Sequence, residues 1–564
     1  MNGMLLLVGS IVYFLLAYFL YGRFVAKRFG VDPKRATPAH TQEDGIDYVP
    51  TPPAVLFGHH FASIAGAGPI IGPIVAASFG WLPAFLWIVL GCVFIGSMHD
   101  FAAMFLSVRN QGRSIAYAIE EELGYWGRQL FLFFCIAALL LVVAVFTLQV
   151  VSGFIANPGV ATSSILFIFL APFFGIATNR KILTLTEASL VFVPLLFVFV
   201  WFGTVVPFDM VAIVGNEKTA RTIWTIALLY YAAIASIIPV WILLQPRDYL
   251  NSYLLYAMMG LGIISVVVAQ PAINMPAMDI PDGKSFVPNI LPLLFVTIAC
   301  GACSGFHALV ASGTSAKQID SEKHILPVGY GGMLVEGALA ILALLSVAYL
   351  APQDAAGVMK GAPAVSFAKG MAHFAEAVGI KYNIGYSFIS LAISAFLLTS
   401  LDTATRLARF VLQELVLPSE KSLNKIAISA KVNVSRPAPQ QKHPIRHLIG
   451  SRWMATIIVV VLSGYLALSG EGMTMWPVFG SSNQLLAALT LLAVSLWLLR
   501  RKYKALFALL PMGFMMVISL WALINLIIQN RDKPALLSIS VFLLVLAILL
   551  VCLAVKTLMN RKKN

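Results

Sequence analysis

The sequence predicts an all-α polytopic membrane protein with about fifteen transmembrane helices. Three observations predict it. Apolar runs of roughly 17 to 25 residues follow one another along the chain, and a bilayer core takes about 20 helical residues to cross. Charged residues stand almost wholly between these runs. The basic ones are shared unevenly: with the N-terminus placed outside, most Lys and Arg fall on cytoplasmic segments, as the positive-inside rule requires. Lipid offers no partner for backbone N–H and C=O groups, so the runs must be helices.

The spans are read at about 4–26, 54–79, 82–107, 128–152, 161–178, 185–206, 222–245, 252–270, 288–313, 327–351, 384–413, 453–470, 476–499, 505–529 and 535–558. The first is too long for a cleavable signal peptide, and Lys27, Arg28, Lys34 and Arg35 follow rather than precede it. Arg180 and Lys181 follow the fifth, a basic stretch from Lys421 to Arg452 follows the eleventh, and Arg561, Lys562 and Lys563 end the chain. The C-terminus is therefore expected in the cytoplasm. Only 11% of the 564 residues are charged and 60% are apolar, whereas a soluble protein carries about 25% charged residues. The net charge of +14 reads as a topology signal, helped by anionic lipid, and not as a nucleic-acid surface. All five cysteines lie in spans, so no disulfide framework is expected. Cys300 and Cys303 form a CxxC without a second pair or a His cluster, which favours small packing residues over a metal site. No cofactor is expected.

Glycine and proline interrupt three spans: GHHFASIAGAGPIIGPIVAA (58–77), AAIASIIPVWILLQP (232–246) and TIACGACSGFHALVASG (297–313). Non-helical backbone at membrane depth is tolerated only where it lines protein or a cavity. Paired interrupted helices mark the binding sites of secondary transporters. Counting the second span as core helix one makes the seventh core helix six, the offset of a LeuT-like 5+5 inverted repeat. The domain reading is 1–53 as an accessory helix and cytoplasmic loop, and 54–415 as a ten-helix core. A basic cytoplasmic linker follows at 416–452, then four C-terminal helices at 453–564. Segment 363–378 reads as a short external helix, and 113–123 as an interfacial one.

Polar residues inside the spans carry the chemistry, since each is costly in hydrocarbon. Gly66, Ala67 and Gly68 before Pro69 allow the chain to unwind. The freed carbonyls would suit a cation, and the next half-helix N-terminus a carboxylate. Ser63, Ser236, Tyr231 and Trp241, with Tyr230, complete the candidate substrate pocket. His59, His60, Asp100, His307 and Asp402 are the candidates for proton coupling. Asp402 has Arg406 one helical turn on, so a structural ion pair is expected there. His99, Glu187 and Glu336 are further titratable groups within spans. Thr297 and Ser304, with Ser312, offer hydroxyls for a possible sodium ion, though serine more often packs helices. Ser481, Ser482, Asn483 and Gln484 form a polar knot that would glue helices together or cap an interrupted one. No GxxxxGK[ST], HExxH or GxSxG motif occurs, so neither an ATP-driven pump nor an enzyme is indicated.

Four stretches together resemble the carbon starvation protein family of the CstA type. They are GHHFASIAGAGPIIGP with FGWLPAFLW (79–87), TIACGACSGFHALVASGTSAKQ (297–318), TSLDTATRLARFVLQE (399–414) and WPVFGSSNQLLAA (476–488). MHDFAAMFLSVRNQGRS (98–114) is similar to another family segment. The resemblance implies a bacterial cytoplasmic-membrane transporter of the amino acid–polyamine–organocation superfamily. It implies import of peptides, or of pyruvate with protons, under nutrient limitation. A sensor that binds without transporting is the contrasting class.

Overall fold

Every backbone polar group inside a bilayer needs a partner from its own chain. The computed structural model meets this with helices; the described residues hold two isolated β-bridges and no longer strand. Those residues are 2–45, 48–66, 68–239, 241–279, 291–351, 363–416, 444–469 and 472–563. The chain opens with α1 (Gly3–Phe29), α2 (Pro53–Ile64), α3 (Gly68–Ala76), α4 (Trp81–Arg109) and α5 (Ile115–Ala156). Next come α6 (Pro158–Asn179), α7 (Leu185–Val205), α8 (Glu217–Ile237) and α9 (Leu244–Ala269). The interrupted segment α10 (Leu291–Thr297), α11 (Ala299–Ala302) and α12 (Gly305–Gly313) precedes α13 (Gly332–Ala348), α14 (Pro363–Glu376) and α15 (Tyr382–Val416). The last four are α16 (Arg452–Leu468), α17 (Met475–Arg500), α18 (Leu506–Gln529) and α19 (Pro534–Lys563).

Among the described residues, 12 helices are long and apolar enough to cross a membrane, and the pair α2–α3, bent by 46° at its break, makes 13. The segment α10–α12 and the 17-residue α16 are the remaining two spans read from the sequence. The all-helical, many-span class is thus the one observed. Large apolar side chains such as Leu20, Leu190 and Trp201 face outward, where lipid would cover them. Almost all of α13 and α17 is buried, whereas α1, α7 and α19 turn most of their surface outward.

Local chemistry sets several boundaries. Thr184 and Glu187 form a capping box at the start of α7: Thr184 N–H donates to Glu187 Oε2 (2.8 Å) and Glu187 N–H to Thr184 Oγ1 (3.3 Å). Glu187 is therefore spent on a helix end. The helix expected over 113–123 is the first part of α5, set off by a turn at Gly124, whose φ of 79° suits glycine. The segment 363–378 is helical as α14. Most of the basic linker, 417–443, lies outside the described residues.

The discontinuity expected inside the seventh span falls at its end. Pro239 forces Ile238 into extended geometry (φ −62°, ψ 143°), so α8 stops at Ile237. The chain resumes as α9 at Leu244. The eighth span consequently begins earlier than 252, and Arg247 and Asp248 become residues of its first turns.

Candidate functional site

The first break lies between α2 and α3. Ala65 has φ −72° and ψ 63°, and Gly66 N–H donates to Ile64 O at 2.7 Å. This is an inverse γ-turn. Ala67 lies outside the described residues. Its neighbours are tightly packed: a Cβ on Gly66 would meet Ser400 Oγ at 2.7 Å, and one on Gly68 would meet Cys300 at 2.2 Å. Gly68 therefore lets α3 press directly on α11.

The second break separates α11 from α12, where Cys303 (φ −165°, ψ 127°) and Ser304 (φ −129°, ψ 123°) are both extended. Asn483 of α17 fills the gap. Its Oδ1 accepts from Phe306 N–H at 2.8 Å, and its Nδ2 donates to Ser304 Oγ at 3.0 Å and to Cys300 Sγ at 3.2 Å. Gln484 Nε2 donates to Phe295 O at 2.5 Å. Of the two roles open to the polar knot of the thirteenth span, Asn483 takes the capping one and Gln484 ties α17 to α10.

Two clusters of buried ionisable groups flank these breaks. In the first, Asp100 of α4 takes His99 Nδ1 on Oδ1 (2.8 Å) and His307 Nδ1 on Oδ2 (2.7 Å). The far nitrogen of His307 faces Glu336 of α13 at 3.3 Å. All four side chains have 0% exposure. Three helices are tied together by acid–imidazole contacts in a space without water access. His60 of α2 lies beside this cluster, with Nδ1 at 2.8 Å from Ser315 Oγ.

In the second cluster, Asp402 of α15 pairs with Arg247 of α9. Tyr231 Oη of α8 donates to the same Asp402 Oδ2 at 2.7 Å, and Arg247 Nη1 donates to Tyr231 Oη at 2.5 Å. The next residue, Asp248, meets His59 Nδ1 at 3.1 Å and Ser63 Oγ at 3.5 Å. A cavity of about 30 Å³ lies alongside, walled by His59, Ser63, Asp248, Thr403, Arg406 and Lys317 among others. That is room for about two waters. Ser236 is fully buried, and its hydroxyl has no protein partner.

The adjacent histidines thus point to different places: His59 lines the cavity, whereas His60 is turned to Ser315. This follows from the roughly 100° between successive helical side chains. The expected Asp402–Arg406 pair is corrected. Arg406 donates instead to Ala235 O (2.7 Å) and Ile238 O (2.5 Å), carbonyls released where α8 ends. Arg247, unrecognised in the sequence, takes Asp402. Tyr230 is 68% exposed on the outer face of α8 and does not line the pocket. Trp241 sits in the α8–α9 turn, with its carbonyl against Gly175. Ser304 is held by Asn483, and Thr297 O accepts from Trp476 Nε1 at 3.2 Å. Ser312 Oγ donates to Ala308 O at 2.7 Å and accepts from Ile115 N–H at 3.3 Å, a structural role. The described residues hold no cluster of three or more His, Cys, Asp or Glu suited to a metal ion. Cys300 and Cys303 are free thiols. Glu336 joined the first cluster only through folding, since its partner lies 29 residues away.

Interrupted membrane helices meeting at buried acids, histidines and an arginine define a secondary transporter rather than an enzyme. The chain belongs to the carbon starvation protein CstA family, whose model matches residues 2–361 and 351–522. It is 34% identical to the peptide transporter CstA of Escherichia coli K12, over 92% of this chain and 80% of that one. It is 33% identical to the peptide transporter CstA of Campylobacter jejuni, over 94% and 81%. The pyruvate/proton symporter BtsT of Escherichia coli K12 is 32% identical, over 93% and 81%.

Proposed function

We propose that this protein imports a small carboxylate-bearing nutrient, pyruvate or a short peptide, together with protons across the bacterial cytoplasmic membrane. The N-terminus is outside and the C-terminus inside in this reading. One observation carries it: a fully buried Asp100 shared between two histidines, with His307 reaching on to Glu336. Such a chain of buried titratable groups is the usual form of a proton relay in membrane helices. His307 sits in the first turn of α12, directly after a helix break, so its protonation state and the geometry of that break are linked. Protons would pass through Asp100, His307 and His60 on one side, and through His59 and Asp402 on the other.

Substrate would bind beside the break that follows α2, held by Ser63, Gly66, Ala67, Gly68, Tyr231, Ser236 and Trp241. The existing cavity holds about two waters, so the site must open to admit a solute. Gly66 and Gly68 pack against the side chains of Ser400 and Cys300, so those contacts would part when the site opens. A sodium ion at Thr297 and Ser304 is the alternative coupling ion, and a non-transporting sensor the alternative class. Contact with anionic lipid would come from the basic cytoplasmic segments.

Reconstituted protein should exchange labelled pyruvate or dipeptide in counterflow, and accumulate it when an inward pH gradient alone is imposed. Accumulation with a sodium gradient alone would move the coupling to Thr297 and Ser304. Saturable binding without any counterflow would favour the sensor.

A further inference from the structure

We infer that Arg247 receives the substrate's carboxylate, and that Asp402 occupies the guanidinium until a proton displaces it. The inference rests on the proposed function and names the charged contact that reading lacks.

The pair is under-used. Arg247 and Asp402 are each 1% exposed. Only Oδ2 of Asp402 is engaged, by Arg247 and Tyr231 together, while Oδ1 has no protein partner. Arg247 Nε also has none, and its Nη2 reaches only Ala395 O, at 3.5 Å. A guanidinium and a carboxylate can make two parallel hydrogen bonds. Here a donor and an acceptor of the same pair stay unfilled, at a burial where each unfilled group is expensive. A permanent ion pair has no reason to keep them so. A pair that exchanges partners has one: the free Nε is the second tooth of the fork for an incoming carboxylate.

The cavity lies beside the pair, although neither Arg247 nor Asp402 lines it. Asp248 and Thr403 directly follow Arg247 and Asp402 in the sequence, and both wall the cavity. Arg406 at its edge holds the carbonyls of the α8 terminus. The charged and titratable groups facing Asp402 are Arg247 and Asp248 on α9, Tyr231 on α8 and Arg406 on its own helix, with His59 reaching Asp248 from α2.

The step balances. A proton from water adds to the Asp402 carboxylate, giving a neutral carboxyl. Arg247 keeps its positive charge and exchanges that partner for the substrate carboxylate. One proton and one monoanion enter, and the buried charge is unchanged, which avoids exposing a lone guanidinium to hydrocarbon. Through this pair alone pyruvate entry is electroneutral, whereas a zwitterionic dipeptide carries one net positive charge inward.

The test uses the full chain in proteoliposomes, with labelled pyruvate and a dipeptide as probes. Arg247→Gln should lower pyruvate counterflow by at least about thirtyfold, the loss expected when one partner of a buried charge pair is removed. Asp402→Asn should lower the half-saturating pyruvate concentration and flatten its dependence on pH. The double variant Arg247→Gln/Asp402→Asn removes both charges with little change of shape, so it should fold yet stay unable to bind pyruvate. Counterflow restored by the double variant to within about twofold of the unmodified protein would make the pair purely structural and overturn the inference. If the double variant does not fold, an Asp402→Asn protein with an unchanged pH profile overturns it equally. Absence of counterflow in the unmodified protein would instead reject the proposed function.

Discussion

The two buried acids, Asp100 and Asp402, sit at similar depth in the fold but in opposite circumstances. Both oxygens of Asp100 are engaged by imidazoles, and no residue of its cluster lines the cavity. Asp402 uses one oxygen, keeps the other free, and its sequence neighbour walls the cavity. The difference is one of room. A proton needs no space, so a sealed, fully bonded acid can serve it. A solute needs space as well as unspent hydrogen-bonding capacity; both clusters keep unfilled polar atoms, but only the Asp402 side has a cavity beside it.

The sharpest way to break this comparison is Asp100→Asn. It should abolish proton-driven accumulation while counterflow persists at a reduced rate. Accumulation at the unmodified level in that variant would remove Asp100 from the relay. Glu336→Gln probes the end of the same chain. It should slow proton-driven uptake by about a hundredfold, the low end of the range for positioned proton-transfer groups; equal losses in uptake and counterflow would mark a packing residue instead.

On the other side, Gly68→Ala tests the glycine packing. Its new Cβ would lie 2.2 Å from Cys300, so a loss of about 1–3 kcal/mol is expected from overpacking. Combining it with Cys300→Gly should recover much of that melting temperature. No recovery would mean that the crowding lies elsewhere. The smallest effect is expected away from both clusters. Thr184→Ala should cost about 1 kcal/mol through the lost cap of α7, measured by thermal melting, with transport unchanged.

Most of the spans, the breaks near Gly66 and Ser304 and the buried acids Asp100, Glu336 and Asp402 were legible in the sequence, because each is a local departure from an apolar background. The 207-residue separation of Asp100 from His307 was not, since only folding brings α4 to α12. Asp402 shows the limit most plainly. Helical spacing offered Arg406 as its partner, a rule that holds when no better partner is near. Arg247 falls in a loop when the eighth span is read from 252, because that reading excludes the α9 start at Leu244. One proline thus misplaced a boundary by two turns and hid a cation. Asn483, by contrast, stood out because four polar residues in a row within an apolar span need a purpose.

Three glycines press on the segment α10–α11 through its own carbonyls. A Cβ on Gly72 would meet Thr297 O at 2.7 Å, one on Gly96 would meet Ala302 O at 2.3 Å, and one on Gly480 would meet Val296 O at 2.1 Å. These contacts come from α3, α4 and α17, so main chain closes on a short length of chain from three helices, in addition to the side chains of Trp476, Gln484 and Asn483. Side chains can swing aside; peptide planes cannot. Replacing any of these three glycines with alanine would therefore have to displace main chain, at a cost of about 1–3 kcal/mol each.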